Sequence, residues 1–263
     1  MLRSVTIGQH IPGDSLIHRL DPRTKIVSAI VLIVLLFVVR GFVGYGLVAL
    51  GIALVVRTSK IPVRFVLRGV RPLLVILAFT LTLHLFMTEG RVIFQLWFLK
   101  VTWEGLIRGL MMGTRLLLLI IGTSMLTLTT SPMQLTDGIE TLLRPGKKIG
   151  IPAHELAMMM TIALRFIPTL LEETEKIMKA QMARGADFQS GGLTQRAKSL
   201  LPLLVPLFVN AFRRADDLAI AMEARGYRGG EGRTKLKELK FQRVDAVAMG
   251  LVLSFALVVG ALF

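Results

Sequence analysis

Apolar residues run almost unbroken from Ile26 to Val39, a single Arg40 interrupts them, and the run resumes from Gly41 to Val56. These 31 residues are too many for one helical crossing, which takes ~20 residues, and predict two short helices joined by a tight turn at Arg40-Gly41. Asp21-Pro22 opens the first helix: Asp21 is an N-cap, and Pro22 stands in the first turn, where its missing N–H is not needed. Further apolar runs at Pro72–Met87, Leu106–Thr130 and Val244–Phe263 predict three more spans, five in all. Between the third and fourth lies RVIFQLWFLKVTW (91–103), whose Trp97 and Trp103 suit an interfacial hairpin better than a crossing.

Two more runs, LAMMMTIALRFIPTLL (156–171) and SLLPLLVPLFVNAF (199–212), are apolar enough to pass for spans. Both are shorter than a crossing and are broken by Arg165, Pro168, Pro202 and Pro206. They are expected to form long helices at or below the cytoplasmic face, packed on each other and on the membrane domain. The expected fold is an all-α integral membrane protein in three stretches: a membrane domain over 1–130, a coupling-helix domain over 131–243 and a fifth transmembrane helix over 244–263.

Charge fixes the predicted orientation. The chain of 263 residues is 53% hydrophobic, and its 32 Lys and Arg against 17 Asp and Glu give a net charge of +15. Residues 1–25, 57–71 and 131–243 hold 27 of the 32 basic residues, so these parts are expected in the cytoplasm, with the N-terminus inside and the C-terminus outside. Sorting by membrane side accounts for the basic excess without nucleic acid. The start of the chain is polar and carries no signal-peptide core. Cysteine is absent, which excludes disulfides and thiolate metal sites.

Catalytic motifs fail one by one. GKK (146–148) lacks the Ser or Thr and the upstream glycine of a phosphate-binding loop. HELAM (154–158) has Met158 where a zinc-protease helix needs its second histidine, and GDSLI (13–17) lacks the second glycine of a nucleophile elbow. RGYRGGEG follows a helix rather than a strand. The four histidines, at 10, 18, 84 and 154, are scattered. No metal, cofactor or catalytic residue is expected. Arg115 falls within the fourth span, with Arg108 one repeat above it; its expected partner is a carbonyl or an acid on a neighbouring helix. Asp245 opens the fifth span and suits a helix N-terminus. Gly105, Gly109 and Gly113 form a smooth stripe that admits another helix, either within this chain or from a partner.

One device occurs twice. AQMARG (180–185) and AMEARG (221–226) share Ala-x-x-Ala-Arg-Gly, 41 residues apart, each at the end of a charged helix. Glycine just past a helix and arginine in its last turn are ordinary helix-ending residues. Two copies, Ala183-Arg184-Gly185 and Ala224-Arg225-Gly226, each followed by an aromatic (Phe188, Tyr227), also describe slim tips carrying one cation. Such a tip fits a narrow groove and pairs bidentately with an acid there; two tips suggest two similar partners.

With IPGDSLIHRLDPRTK (11–25), ALRFIPTL (163–170), QMARGADF (181–188) and AMEARGY ending at Tyr227, the chain resembles over nearly its whole length the T components of energy-coupling factor (ECF) transporters, the CbiQ/EcfT family. The resemblance implies a non-catalytic scaffold in the plasma membrane of a prokaryote. Its Arg184 and Arg225 tips would insert into two ABC-type ATPase subunits (the EcfA pair), which bind the ATP and magnesium. A substrate-binding S component would sit on the scaffold and deliver a vitamin or other micronutrient. The N-terminal motif is more like T components that serve many S components than a dedicated cobalt or nickel importer, the first rival. A membrane-bound enzyme acting on a lipid phosphate through Arg115 and Arg165 is the second, and lacks a general base.

Overall fold

The computed structural model describes residues 10–96, 99–188, 192–229 and 239–263; Trp97 lies outside them. These residues fall into two units, one of 10–142 with 239–263, the other of 143–229. The first unit begins with a one-turn helix α1 (Leu16–Arg19), then α2 (Pro22–Val38) and α3 (Phe42–Ser59). The turn between α2 and α3 falls at Arg40-Gly41, where Gly41 takes φ +100° at the N-cap of α3. A short amphipathic α4 (Val63–Val70) passes through a 3-10 turn at Arg71–Leu73 into α5 (Leu74–Met87). The segment after α5 is an antiparallel hairpin of β1 (Val92–Leu96) and β2 (Leu99–Thr102). Then follow α6 (Trp103–Thr129), α7 (Pro132–Leu143) and, at the end of the chain, α10 (Arg243–Leu262).

The core of this unit is built where α2, α3, α6 and α10 meet. Leu35, Leu36, Val39, Tyr45, Val48, Ile52, Leu118 and Val259 are all buried there. Elsewhere the helices stay apolar on the outside: Phe37, Leu50, Val75, Phe79 and Leu257 are large and exposed. A helix apolar all round, with its outer face uncovered, is what a lipid solvent requires. The chain is a membrane protein.

The second unit consists of a 3-10 segment, Arg144–Ile149, and two long helices, α8 (Ala153–Ala183) and α9 (Leu193–Ala224). The prolines expected to break these runs lie inside continuous helices, Pro168 in α8 and Pro202 and Pro206 in α9. Part of the reason is visible. Pro206 has no N–H for the carbonyl of Pro202, and the Gln181 side chain of α8 donates to that carbonyl instead, at 3.4 Å.

Five described helical segments are long and apolar enough to cross a bilayer: Phe42–Ser59, Val63–Met87, Trp103–Thr129, Ala153–Ala183 and Arg243–Leu262. The number equals the expected one, but the set differs. The 31-residue α8 qualifies on length and composition, while α2, at 17 residues, falls just short.

Candidate functional site

The Ala-Arg-Gly segments end α8 and α9 in the same conformation. Arg184 and Arg225 are the C-caps, both at φ −88°, ψ 8°, and the glycines that follow take φ +87° (Gly185) and +73° (Gly226). Each end closes with two hydrogen bonds. Gly185 N–H donates to Met182 O and Ala186 N–H to Gln181 O; Gly226 N–H donates to Glu223 O and Tyr227 N–H to Met222 O. This pair of bonds is the Schellman closure, which uses carbonyls a helix end otherwise leaves bare and needs a residue at ease with positive φ. The device is therefore a helix terminator in both copies. Its two arginine side chains are exposed, and neither has an ion-pair partner among the described residues.

The two tips point apart. Glu173 of α8 accepts from Asn210 of α9 and lies 3.2 Å from Arg214, while Gln181, nearly at the tip of α8, reaches back to Pro202 near the start of α9. Residue numbers rise on one helix as they fall on the other, so the helices pack antiparallel. From Pro202, beside the first tip, α9 runs 23 residues to Arg225, about 35 Å at 1.5 Å per residue. No single groove reaches both arginines.

The glycine stripe divides. A methyl group at Gly105 would sit 2.5 Å from His84 O, and one at Gly109 would sit 2.9 Å from Leu81 Cδ1, so these two glycines let α6 press against α5. Gly113 has nothing within 4 Å and stands outside that contact. Arg115 differs from expectation: its Nε–H donates to the Tyr45 hydroxyl at 2.9 Å, and its guanidinium lies 5.3 Å and 5.8 Å from the ring centroids of Phe37 and Tyr45. Among the described residues neither a carbonyl nor an acid holds it. The quadrupoles of two aromatic faces and a phenol oxygen accept the charge instead.

A second cluster was only half legible. Asp21 caps α2 as expected, accepting from Arg23 N–H and pairing with the Arg23 guanidinium at 2.8 Å. Burial pushes the Asp21 pKa up, but the hydrogen bonds and charge of Arg23, with the charge of Lys25, outweigh it and leave the carboxyl below its ordinary value. Asp245, 2% exposed, accepts from Asp21 N–H at 2.7 Å and from Gln242 N–H at 2.8 Å, joining the first turns of α2 and α10. Lys25, also buried, donates to His18 O and Thr129 O. The only sequence signal for this clasp was an acid at the start of each helix. Among the described residues no three His, Cys, Asp or Glu side chains gather into a metal site.

Comparison with known proteins agrees with the fold. The family model CbiQ, described as cobalt transport protein, matches residues 13–236. Among curated proteins, the chain is 62% identical over 247 residues to the energy-coupling factor transporter transmembrane protein EcfT of Thermosediminibacter oceani, covering 94% of this chain and 93% of that one. It is 54% identical to the protein of the same name from Ruminiclostridium cellulolyticum (97% and 96% covered) and 51% identical to that of Bacillus subtilis (98% of both).

Proposed function

This chain belongs to the CbiQ/EcfT family, and from that premise we propose that it is the scaffold through which two ABC-type ATPases drive an S component to import a vitamin or related micronutrient. The observation that carries the proposal is the pair of identical helix ends, each presenting an exposed arginine with no ion-pair partner among the described residues, about 35 Å of helix apart. Two tips of one design call for two partners of one design, which a pair of similar ATPase subunits supplies. In each, a partly desolvated arginine would pair with groove acids, a contact whose loss typically costs ~2 kcal/mol or more.

In this reading residues 131–243 form the cytoplasmic coupling domain between a membrane domain of 1–130 and a last span of 244–263. The N-terminus lies inside, in the plasma membrane of a prokaryote, as the distribution of basic residues supports. The chain itself is non-catalytic, and ATP and magnesium bind the partner subunits. Coupling then means mechanical transmission: ATP-driven movement of the ATPases displaces the two tips, and α8 and α9 carry that displacement to the S component.

The test is to purify the tagged chain from its own membranes in mild detergent and identify what accompanies it by mass spectrometry. Two ABC ATPases with one or more small hydrophobic proteins support the proposal, and the number of the latter separates a shared from a dedicated scaffold. Recovery of the intact chain with no ATPase would defeat it.

A further inference from the structure

The last turn of α3 and the short helix α1 border an open cavity of about 340 Å³ lined by Asp14, Ser15, Leu16, Arg19, Arg57, Thr58 and Lys60. Three cations face one carboxylate there, and among the described residues none of the three is held in an ion pair. Lys60 is also the only non-glycine residue with positive φ among those described, at φ 57°. A lysine in this left-handed region carries a local cost that glycine or asparagine would lessen.

What should neutralise the cavity follows from where it lies. α3 is long and apolar enough to cross the bilayer, and Arg57 and Lys60 stand at its end, where basic side chains meet the interface. Val43, Leu50 and Arg57 are spaced by seven residues and so share one face of α3, with Leu54 beside them. Val43, Leu50 and Leu54 are 64%, 60% and 57% exposed, an uncovered apolar ridge that ends at the arginine. From Val43 to Arg57 the ridge is about 21 Å long, more than half the hydrocarbon core. A free anion would use the cations and leave the ridge bare; a soluble acidic peptide would not lie in hydrocarbon. One ligand matches both parts.

We propose that this cavity is a binding site for the headgroup of an anionic glycerophospholipid, with Arg19, Arg57 and Lys60 around its phosphate and an acyl chain along Val43, Leu50 and Leu54. Asp14 stands at the cavity wall, where it suits a headgroup hydroxyl. The site goes beyond the scaffold reading and does not depend on the ATPases; the orientation proposed above assigns it to the inner leaflet.

The full chain, purified and stripped of bound lipid by detergent washing, is to be mixed with micelles carrying phosphatidylglycerol or phosphatidylcholine and analysed by native mass spectrometry. Phosphatidylglycerol is expected to be retained in preference to phosphatidylcholine. Arg57→Gln with Lys60→Asn, the asparagine chosen to tolerate the left-handed backbone, is expected to lower its retention roughly tenfold or more. Lys176→Gln with Lys179→Gln on α8, which removes the same charge elsewhere, should leave retention unchanged, and Arg19→Gln should lower it on its own. Equal retention of the two lipids would overturn the proposal, as would equal loss in both double variants. So would displacement of the lipid by millimolar inorganic phosphate, which would make this a phosphate site. Should the Arg57/Lys60 variant not fold, Leu54→Gln decides: loss of lipid retention supports the site, and unchanged retention refutes it.

Discussion

The ends of α8 and α9 and the beginnings of α2 and α10 are all charged helix termini, yet they treat their charges oppositely. At Asp21 and Asp245 the charged groups are buried, and each is spent on a partner within the chain: one carboxylate joins two helix starts 224 positions apart. At Arg184 and Arg225 the backbone closes on its own carbonyls, and among the described residues the cation has no ion-pair partner. A terminus whose charge is consumed internally holds the fold. One that closes without using its charge leaves that charge free for something outside. The residue types alone do not distinguish the two cases; the hydrogen bonds do.

The comparison is most severely tested by reversing the leftover charges. Arg184→Glu with Arg225→Glu should abolish co-purification of ATPases from membranes, each single variant should weaken it, and membrane insertion should be unaffected. If the double variant assembles normally, the arginines are terminators only. The opposite prediction holds for the buried end. Asp245→Ala leaves two N–H groups of the clasp without acceptors and should cost about 2–4 kcal/mol, read as a lower unfolding temperature in detergent; Asp245→Asn, which keeps an acceptor, should cost less.

Smaller effects sharpen the contrast between used and unused positions. Gly105→Ala drives a methyl group into the backbone of α5 and should destabilise the chain by about 1–3 kcal/mol, whereas Gly113→Ala should be neutral or mildly stabilising. The gentlest test is acidification. Because the Asp21 carboxyl lies below its ordinary value when folded, its contribution to stability is whole above that ordinary value and fades as the pH falls through the lowered one. A thermal scan across that range should show the loss in the wild type and little of it in Asp21→Asn.

Much of this was visible in the sequence, for identifiable reasons. Spans follow from composition, because lipid asks only that the backbone be satisfied and the surface apolar, and both helix-ending repeats were readable as glycine after arginine. What escaped depends on residues far apart in the chain. Pro202 and Pro206 predict a broken helix until Gln181, on another helix, supplies a donor. Arg115 was expected to meet an acid or a carbonyl and instead found Phe37 and Tyr45, aromatics whose roles as neighbours no local pattern discloses. The stripe at Gly105, Gly109 and Gly113 was recognisable as a close-approach surface, but only the position of α5 shows where the contact stops.

The prolines of α9 also give that helix an uneven stiffness. Two backbone rungs are missing where Pro202 and Pro206 stand, and one of the vacated carbonyls is held by a single long bond from a side chain. From Leu207 to Ala224 the ladder contains no further proline, a rod of about 27 Å. A sideways load at Arg225 therefore acts on a stiff arm rooted in a compliant base, and flexure concentrates at the root. Such a spar moves its far end as a unit while its root yields.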